Sequence, residues 1–233
     1  MDMSYDTTTK IKLLEHLMSF VTDERKKRFE DVIKYRTRQI TVVLEDIYQP
    51  HNASAVLRSC DLTGVQDVHI IENSNNYKVN PDVALGSSKW LNLIKHNDKD
   101  NNTLETFKLL RNKGYTIVAT TPHKDNFDLE TLPISNKIAV VFGTELTGLS
   151  DLAISNADEY LRIPMYGFTE SYNISVSAAL TLFTLTERIR KSNVSWKLSD
   201  NDITDILLDW ARNSIGRSDV IERHFISNYI PSY

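Results

Sequence analysis

"ITVVLEDIYQPHNASAVLRSCDLTG", residues 40–64, decides the fold. Residues 40–47 are almost wholly β-branched or apolar, the pattern of a strand buried on both faces. A Pro50-containing turn follows, and residues 52–63 read as a helix. Asn52 and Arg58 stand six apart, so they lie on broadly opposite sides of a regular helix unless Asn52 belongs to the turn before it. An amide and a guanidinium among small and apolar residues at a strand-to-helix junction call for a chemical reason.

Outward from this unit the same grammar repeats. "DVHIIE" (67–72), "YTIVATT" (115–121), "KIAVVFG" (137–143) and "EYLRIPM" (159–165) are short β-branched runs, and 103–113 and 150–156 are helical in pattern. Short apolar strands alternating with helices predict an α/β domain over 39–192, a mainly parallel sheet flanked by helices. Upstream, 9–20 and 22–36 carry apolar residues at helical spacing, with Thr22 before Asp23 and Glu24 as a helix start. They form an N-terminal helical extension, residues 1–38. The polar stretch "SNVSWKLSDND" opens a C-terminal helical extension, 193–233, with Ile203, Ile206, Leu207, Trp210 and Ala211. The polar loop 73–91 is long enough to expect a functional or mobile role.

With 233 residues, 41% hydrophobic and 25% charged, the chain has ordinary globular composition. One cysteine, Cys60, excludes a disulfide framework and reads as a small buried hydrophobe in a cytoplasmic protein. The start lacks a secretory pattern and no apolar run is long enough to span a bilayer, so no membrane association is expected. Net charge is −4, yet residues 24–38 hold seven basic and three acidic side chains. Arg25, Lys26, Lys27, Arg28, Lys34, Arg36 and Arg38 are either a solvated helix face or a phosphate-contacting arm.

Several chemistries are disfavoured by what is missing. There is no G-x-G-x-x-G, no Walker loop, no G-x-S-x-G elbow and no H-x-x-x-H pair, which leaves neither a standard dinucleotide cradle nor a metal centre. Two further junctions resemble the opening one. In "VVFGTELTGLS" (140–150) a strand runs into Gly143, which allows close approach to the backbone, then Glu145. In "RIPMYGFTESYNISVSAALTLF" (162–183), Ser171 and Asn173 precede a helix of small residues. Simple turns and helix caps would use the same residue types. Together they are polar strand-end loops, and open α/β sheets bind ligands at the carboxyl ends of strands.

"HNASAVLRSCDLTGV", "FGTELTGLS" and "IPMYGFTESYNISVSAAL" resemble the three signature motifs of the SPOUT superfamily of RNA methyltransferases, in its 2'-O-ribose branch. The likeness covers roughly residues 22–192, and its upstream part resembles the tRNA-modifying members that act on the D-loop guanosine at position 18. The resemblance implies a deep trefoil knot over about 137–190, a homodimer with the site at the subunit interface, and S-adenosylmethionine as cofactor. It assigns Arg58 to the reacting 2'-hydroxyl, as a phosphate clamp or a base, with Asn52 and Glu145 holding Arg58 and with Ser171 and Asn173 beside the ribose. It assigns Thr120, Gly143, Ile163, Met165 and Tyr172 to the cofactor, Tyr172 standing where family members usually carry leucine. It turns the basic arm into a tRNA contact. Methylation of ribosomal RNA or another tRNA position, and a non-catalytic RNA-binding homologue, are the alternatives.

Overall fold

Parallel pairing requires strands buried on both faces and crossovers on each side, and both follow from these apolar runs. The computed structural model describes residues 5–75, 77, 86–99, 101–124 and 126–229. The chain forms two compact units, one from its two ends (up to Arg36 and from Lys197) and one from Thr37–Trp196.

The larger unit holds the sheet. Its strands are β1 (Ile40–Glu45), β2 (Asp67–Ile71), β3 (Asn92–His96), β4 (Tyr115–Thr120), β5 (Lys137–Phe142) and β6 (Glu159–Leu161). Their order is β3-β2-β1-β5-β4-β6, and each neighbouring pair is parallel. Alternate residues of β1 go to opposite layers. Val42 and Leu44 meet one helix pair and Val43 meets the other. The first layer contains Ala53, Val56, Leu57 and Cys60 with Ile174, Ala178 and Leu182. The second contains Phe107, Leu110 and Ala153. Pro50 sits in the first turn of the 50–63 helix, where its missing N–H costs nothing.

The structure departs from the sequence pattern in definite places. β3 escaped it because β3 is an edge strand: Asn92, Lys95 and His96 break the apolar pattern where only one neighbour and partial burial are required. The run expected to be a strand over 159–165 ends at Leu161, and the rest is loop. Residues 76 and 78–85 of the polar loop lie outside the described residues, while 87–89 form one 3-10 turn.

Among the described residues the helices, in chain order, are α1 (Thr7–Met18), α2 (Asp23–Ile33), α3 (Pro50–Thr63), α4 (Thr103–Asn112), α5 (Asp151–Ser155), α6 (Ile174–Lys191), α7 (Asp200–Ser214) and α8 (Ser218–Tyr229). The smaller unit combines α1 and α2 with α7 and α8, so the C-terminal extension holds two helices. Phe29 packs 5.3 Å from Trp210, His16 stacks on Phe225 at 4.8 Å, and Arg212 grips Glu222 through two hydrogen bonds of 2.9 and 2.8 Å. No helix among the described residues is long and apolar enough to cross a membrane.

One histidine pair, with His69 buried and His96 half-buried, makes the sheet sensitive to acid. His69 on β2 and His96 on β3 stack, with Nδ1 of the first 2.9 Å from Nε2 of the second. One nitrogen must accept where the other donates, so the contact suits neutral rings. Burial, reinforced by His96 and Lys113, lowers the His69 pKa from 6.5 to about 3. The unfolded chain therefore binds more protons between these values, and stability present above pH 6.5 is lost as pH falls through that window. The slope from His69 approaches about 1.4 kcal/mol per pH unit. Urea unfolding of the wild type and His69→Gln between pH 7 and 5 checks this: the variant should show the shallower loss, and equal slopes would refute it.

Candidate active site

The order β2-β1-β5-β4 places β1 and β5 side by side with chains leaving in opposite directions, the switch point at which α/β sheets open a crevice. The loops after both strands meet there. Asn52, in the first turn of α3 and 5% exposed, donates from Nδ2 to Glu145 Oε1 at 2.9 Å and to Gln49 Oε1 at 3.1 Å. Both its N–H groups are thereby committed, which fixes the amide so that Oδ1 accepts from Asn173 Nδ2 at 3.3 Å. Asn173 also caps α6 by accepting from Ser175 N at 2.9 Å. The capping expectation and the shared-site expectation thus describe the same side chain.

Beside this network lies a cleft of about 400 Å³, a size that suits a nucleoside-bearing ligand. Thr120, Gly143, Glu145, Ile163, Met165, Ser171, Tyr172 and Asn173 all line it. Its apolar wall includes Leu149, Ile154 and Leu161, and the polar groups come from loop ends. The Thr120 hydroxyl is turned inward, donating to the Val141 carbonyl at 2.8 Å, so only its backbone is left to face a ligand. Pro122 and His123, which follow β4, also line the cleft and went unnoticed in the sequence, as did Gln49. The signal was available: β4 ends at the same sheet edge as β5.

Gly143 also has a reason within the chain. A Cβ there would overlap the backbone of Gly148 and Leu149, so the close approach is by the chain itself. Thr144 N donates to the Gly148 carbonyl at 2.9 Å and Gly148 N returns the bond at 3.1 Å. Gly148 takes φ 70°, where glycine avoids a steric penalty. The segment 143–149 is thus a closed loop forming one wall of the cleft.

Arg58 stands apart. It is exposed on α3, does not line the cleft, and has no hydrogen bond or ion pair among the described residues. The expected grip of Asn52 and Glu145 on Arg58 is absent within the chain, because those two groups satisfy each other. The basic arm also divides. Arg25, Lys27, Arg28 and Lys34 are exposed and Lys26 is half-buried, with Lys26 paired to Asp23 and Lys34 to Asp31. Arg25, Lys27 and Arg28 border an open groove on α2, together with Glu24 and Asp31. Arg36 is 1% exposed with its guanidinium 5.3 Å over Trp210, and Arg38 pairs with Asp67 at 3.0 Å. Neither offers a free surface cation. No group of three or more metal-ligating side chains occurs among the described residues.

Gly143→Ala should open the loop, costing about 1–3 kcal/mol as an overpacking change. It should also weaken nucleoside-ligand binding to the cleft; calorimetry that found undiminished binding would contradict this account of the wall.

Comparison with known proteins fits this geometry. The family model described as the SpoU rRNA methylase family matches residues 39–183. A Borreliella burgdorferi protein named tRNA (guanosine(18)-2'-O)-methyltransferase is 44% identical over 212 residues, 91% of this chain and 95% of that one. The crystal structure of the A. aeolicus TrmH/SpoU tRNA modifying enzyme superposes with a TM-score of 0.74 at 28% identity, covering 84% of this chain and 98% of that one. The methyltransferase AviRb from Streptomyces viridochromogenes, solved in complex with the cofactor AdoMet, shares the fold at a TM-score of 0.58 and 20% identity, covering 70% of this chain and 62% of that one. This chain belongs to the SpoU methylase family.

Proposed function

We propose that this chain uses S-adenosylmethionine to methylate the ribose 2'-hydroxyl of the D-loop guanosine at position 18 of tRNA, in the cytoplasm. The observation that carries this reading is the 44% identity to a relative so named over 91% of the chain. That likeness extends beyond residues 39–183 of the family match into the helical ends. Members acting on ribosomal RNA share the catalytic domain, so the substrate is argued from what lies outside it.

S-adenosylmethionine supplies, when bound, an electrophilic methyl group. The fit rests on a cleft of nucleoside size, walled by Leu149, Ile163 and Met165, with backbone groups presented at Thr120 and Gly143. Tyr172, 44% exposed at the rim, has a ring face available for packing on adenine. The Asn52–Glu145–Asn173 network holds the rim rigid, and Ser171 and Asn173 orient the ribose. A guanidinium stays protonated near neutral pH and matches phosphate in a bidentate manner, so Arg58 serves as a clamp on the phosphate beside the reacting hydroxyl. Positioning, rather than a strong base, carries most of the rate.

Because Arg58 does not line the cleft of its own chain, the reading requires a homodimer in which Arg58 serves the cleft of a second copy. Val176, Ala179, Leu180 and Phe183 form an exposed apolar stripe at helical spacing on α6, a face suited to such pairing. We place a trefoil knot at about 137–190, on the family resemblance. Exposed Arg25, Lys27 and Arg28, with Lys26 and Lys34, contact tRNA phosphates, while Arg36 and Arg38 contribute through packing and ion pairing instead.

The experiment is methyl transfer from labelled S-adenosylmethionine to unmodified tRNA and ribosomal RNA transcripts, with the product nucleotide mapped. The expected result is label on the ribose of guanosine 18, reduced about a hundredfold or more by Arg58→Ala. An Arg25→Ala/Lys27→Ala/Arg28→Ala chain should lose tRNA affinity and salt dependence together. Label on ribosomal RNA alone would overturn the substrate, and binding of cofactor without transfer to either RNA would favour a non-catalytic homologue.

A further inference from the structure

The cleft wall formed by residues 143–149 is closed at one end by Gly143 and must be held at the other, where Leu149 passes into the cap of α5. Ser150 is that cap, its hydroxyl accepting from Ala153 N at 3.0 Å. The group that receives Ser150 is Glu45, the last residue of β1 and 2% exposed. Glu45 Oε2 accepts from Ser150 N at 2.9 Å, while Oε1 accepts from Ser150 Oγ at 2.8 Å and from Thr103 Oγ1 at 2.7 Å. A carboxylate taken out of water is tolerated only where such donors replace hydration. Every donor here comes from the start of α4 or from the foot of the cleft loop.

We propose that Glu45 is a positioning residue for the cofactor site. It fixes the foot of the 143–149 loop, and through that loop the carboxylate of Glu145, without touching a ligand itself. The inference rests on the reading that the cleft takes S-adenosylmethionine. It adds a residue of β1, outside the cleft lining, to the machinery that shapes the cleft. A buried acid serving only the core would spread its bonds over packed elements. This one gives two of its three to a single loop residue.

The test compares Glu45→Ala, Glu45→Gln and Thr103→Val, each well below its melting temperature. Amide hydrogen exchange of the ligand-free protein reads the Thr144 and Gly148 N–H groups against β4 as an internal reference. In Glu45→Ala those loop amides should exchange about tenfold faster with β4 unchanged, and S-adenosylmethionine should bind about tenfold more weakly, as expected for losing hydrogen bonds to a charged acceptor. Glu45→Gln keeps an acceptor for Ser150 N, and the hydroxyls can reverse to accept from its amide, so it should restore both readouts. Thr103→Val removes the bond that does not reach the loop. It should lower thermal stability and leave loop exchange and cofactor affinity unchanged.

Unchanged loop exchange in Glu45→Ala would overturn the inference whatever the ligand. Faster exchange with unaltered cofactor affinity would overturn the link to the site, as would a Thr103→Val chain that weakened binding equally. If the wild type itself bound no S-adenosylmethionine, the cofactor reading would fail, and the exchange data would still decide the role of Glu45 in the loop.

Discussion

The site depends on one hydrogen bond, from the Asn52 amide to the Glu145 carboxylate across the switch point between β1 and β5. Asn52 could not sit there alone without an unmet polar requirement, because it is buried and its amide has two N–H groups to satisfy. Together with Gln49, Glu145 fixes the orientation of the amide, and that orientation leaves Oδ1 directed at Asn173. Loops distant in sequence are thereby locked to one another by side chains rather than by the sheet. The sheet brings the loop roots together, and the network sets their relative positions at the rim of the cleft.

This arrangement also explains why the arginine stands elsewhere. A guanidinium inserted between Asn52 and Glu145 would have to displace their mutual bond. The chain instead leaves Arg58 exposed on α3, outside its own cleft. Under the proposed function, the preorganised cleft and the exposed cation are complementary halves of one catalytic site, and the second half comes from another copy. Dimerisation then becomes a catalytic requirement, since an isolated chain would have a cleft without its phosphate clamp.

Much of this was legible in the sequence, for reasons that particular residues make clear. β1, β2, β4 and β5 are buried in the sheet, so "ITVVLE" and "KIAVVF" could hardly be read otherwise. β3 was not legible, because an edge strand tolerates Lys95 and His96. The cleft-lining residues Thr120, Gly143, Ile163 and Tyr172 end or follow strands or precede a helix, where motif and topology speak together. Tertiary context decided the rest. Nothing local marks Arg36 as the basic residue that packs over Trp210, or Gly143 as the residue whose backbone the Gly148 backbone approaches. In the sequence Glu45 is one more acidic residue at a strand end, and its contact with Ser150, far along the chain, appears only in the fold.

The central claim is that the cleft and its clamp belong to different copies. Mixing Arg58→Ala chains with Glu145→Ala chains tests it most directly, after dissociation and reassociation, by measuring methyl transfer to tRNA. Each variant alone should be nearly inactive. A mixed dimer would contain one cleft with an intact Glu145 facing an intact Arg58, so activity should return, to about half that of the wild type per mixed dimer when the two sites act independently, as non-contacting sites do. If exchange of chains is demonstrated and the mixture stays as inactive as its components, both residues act within one chain, and the split-site account is wrong.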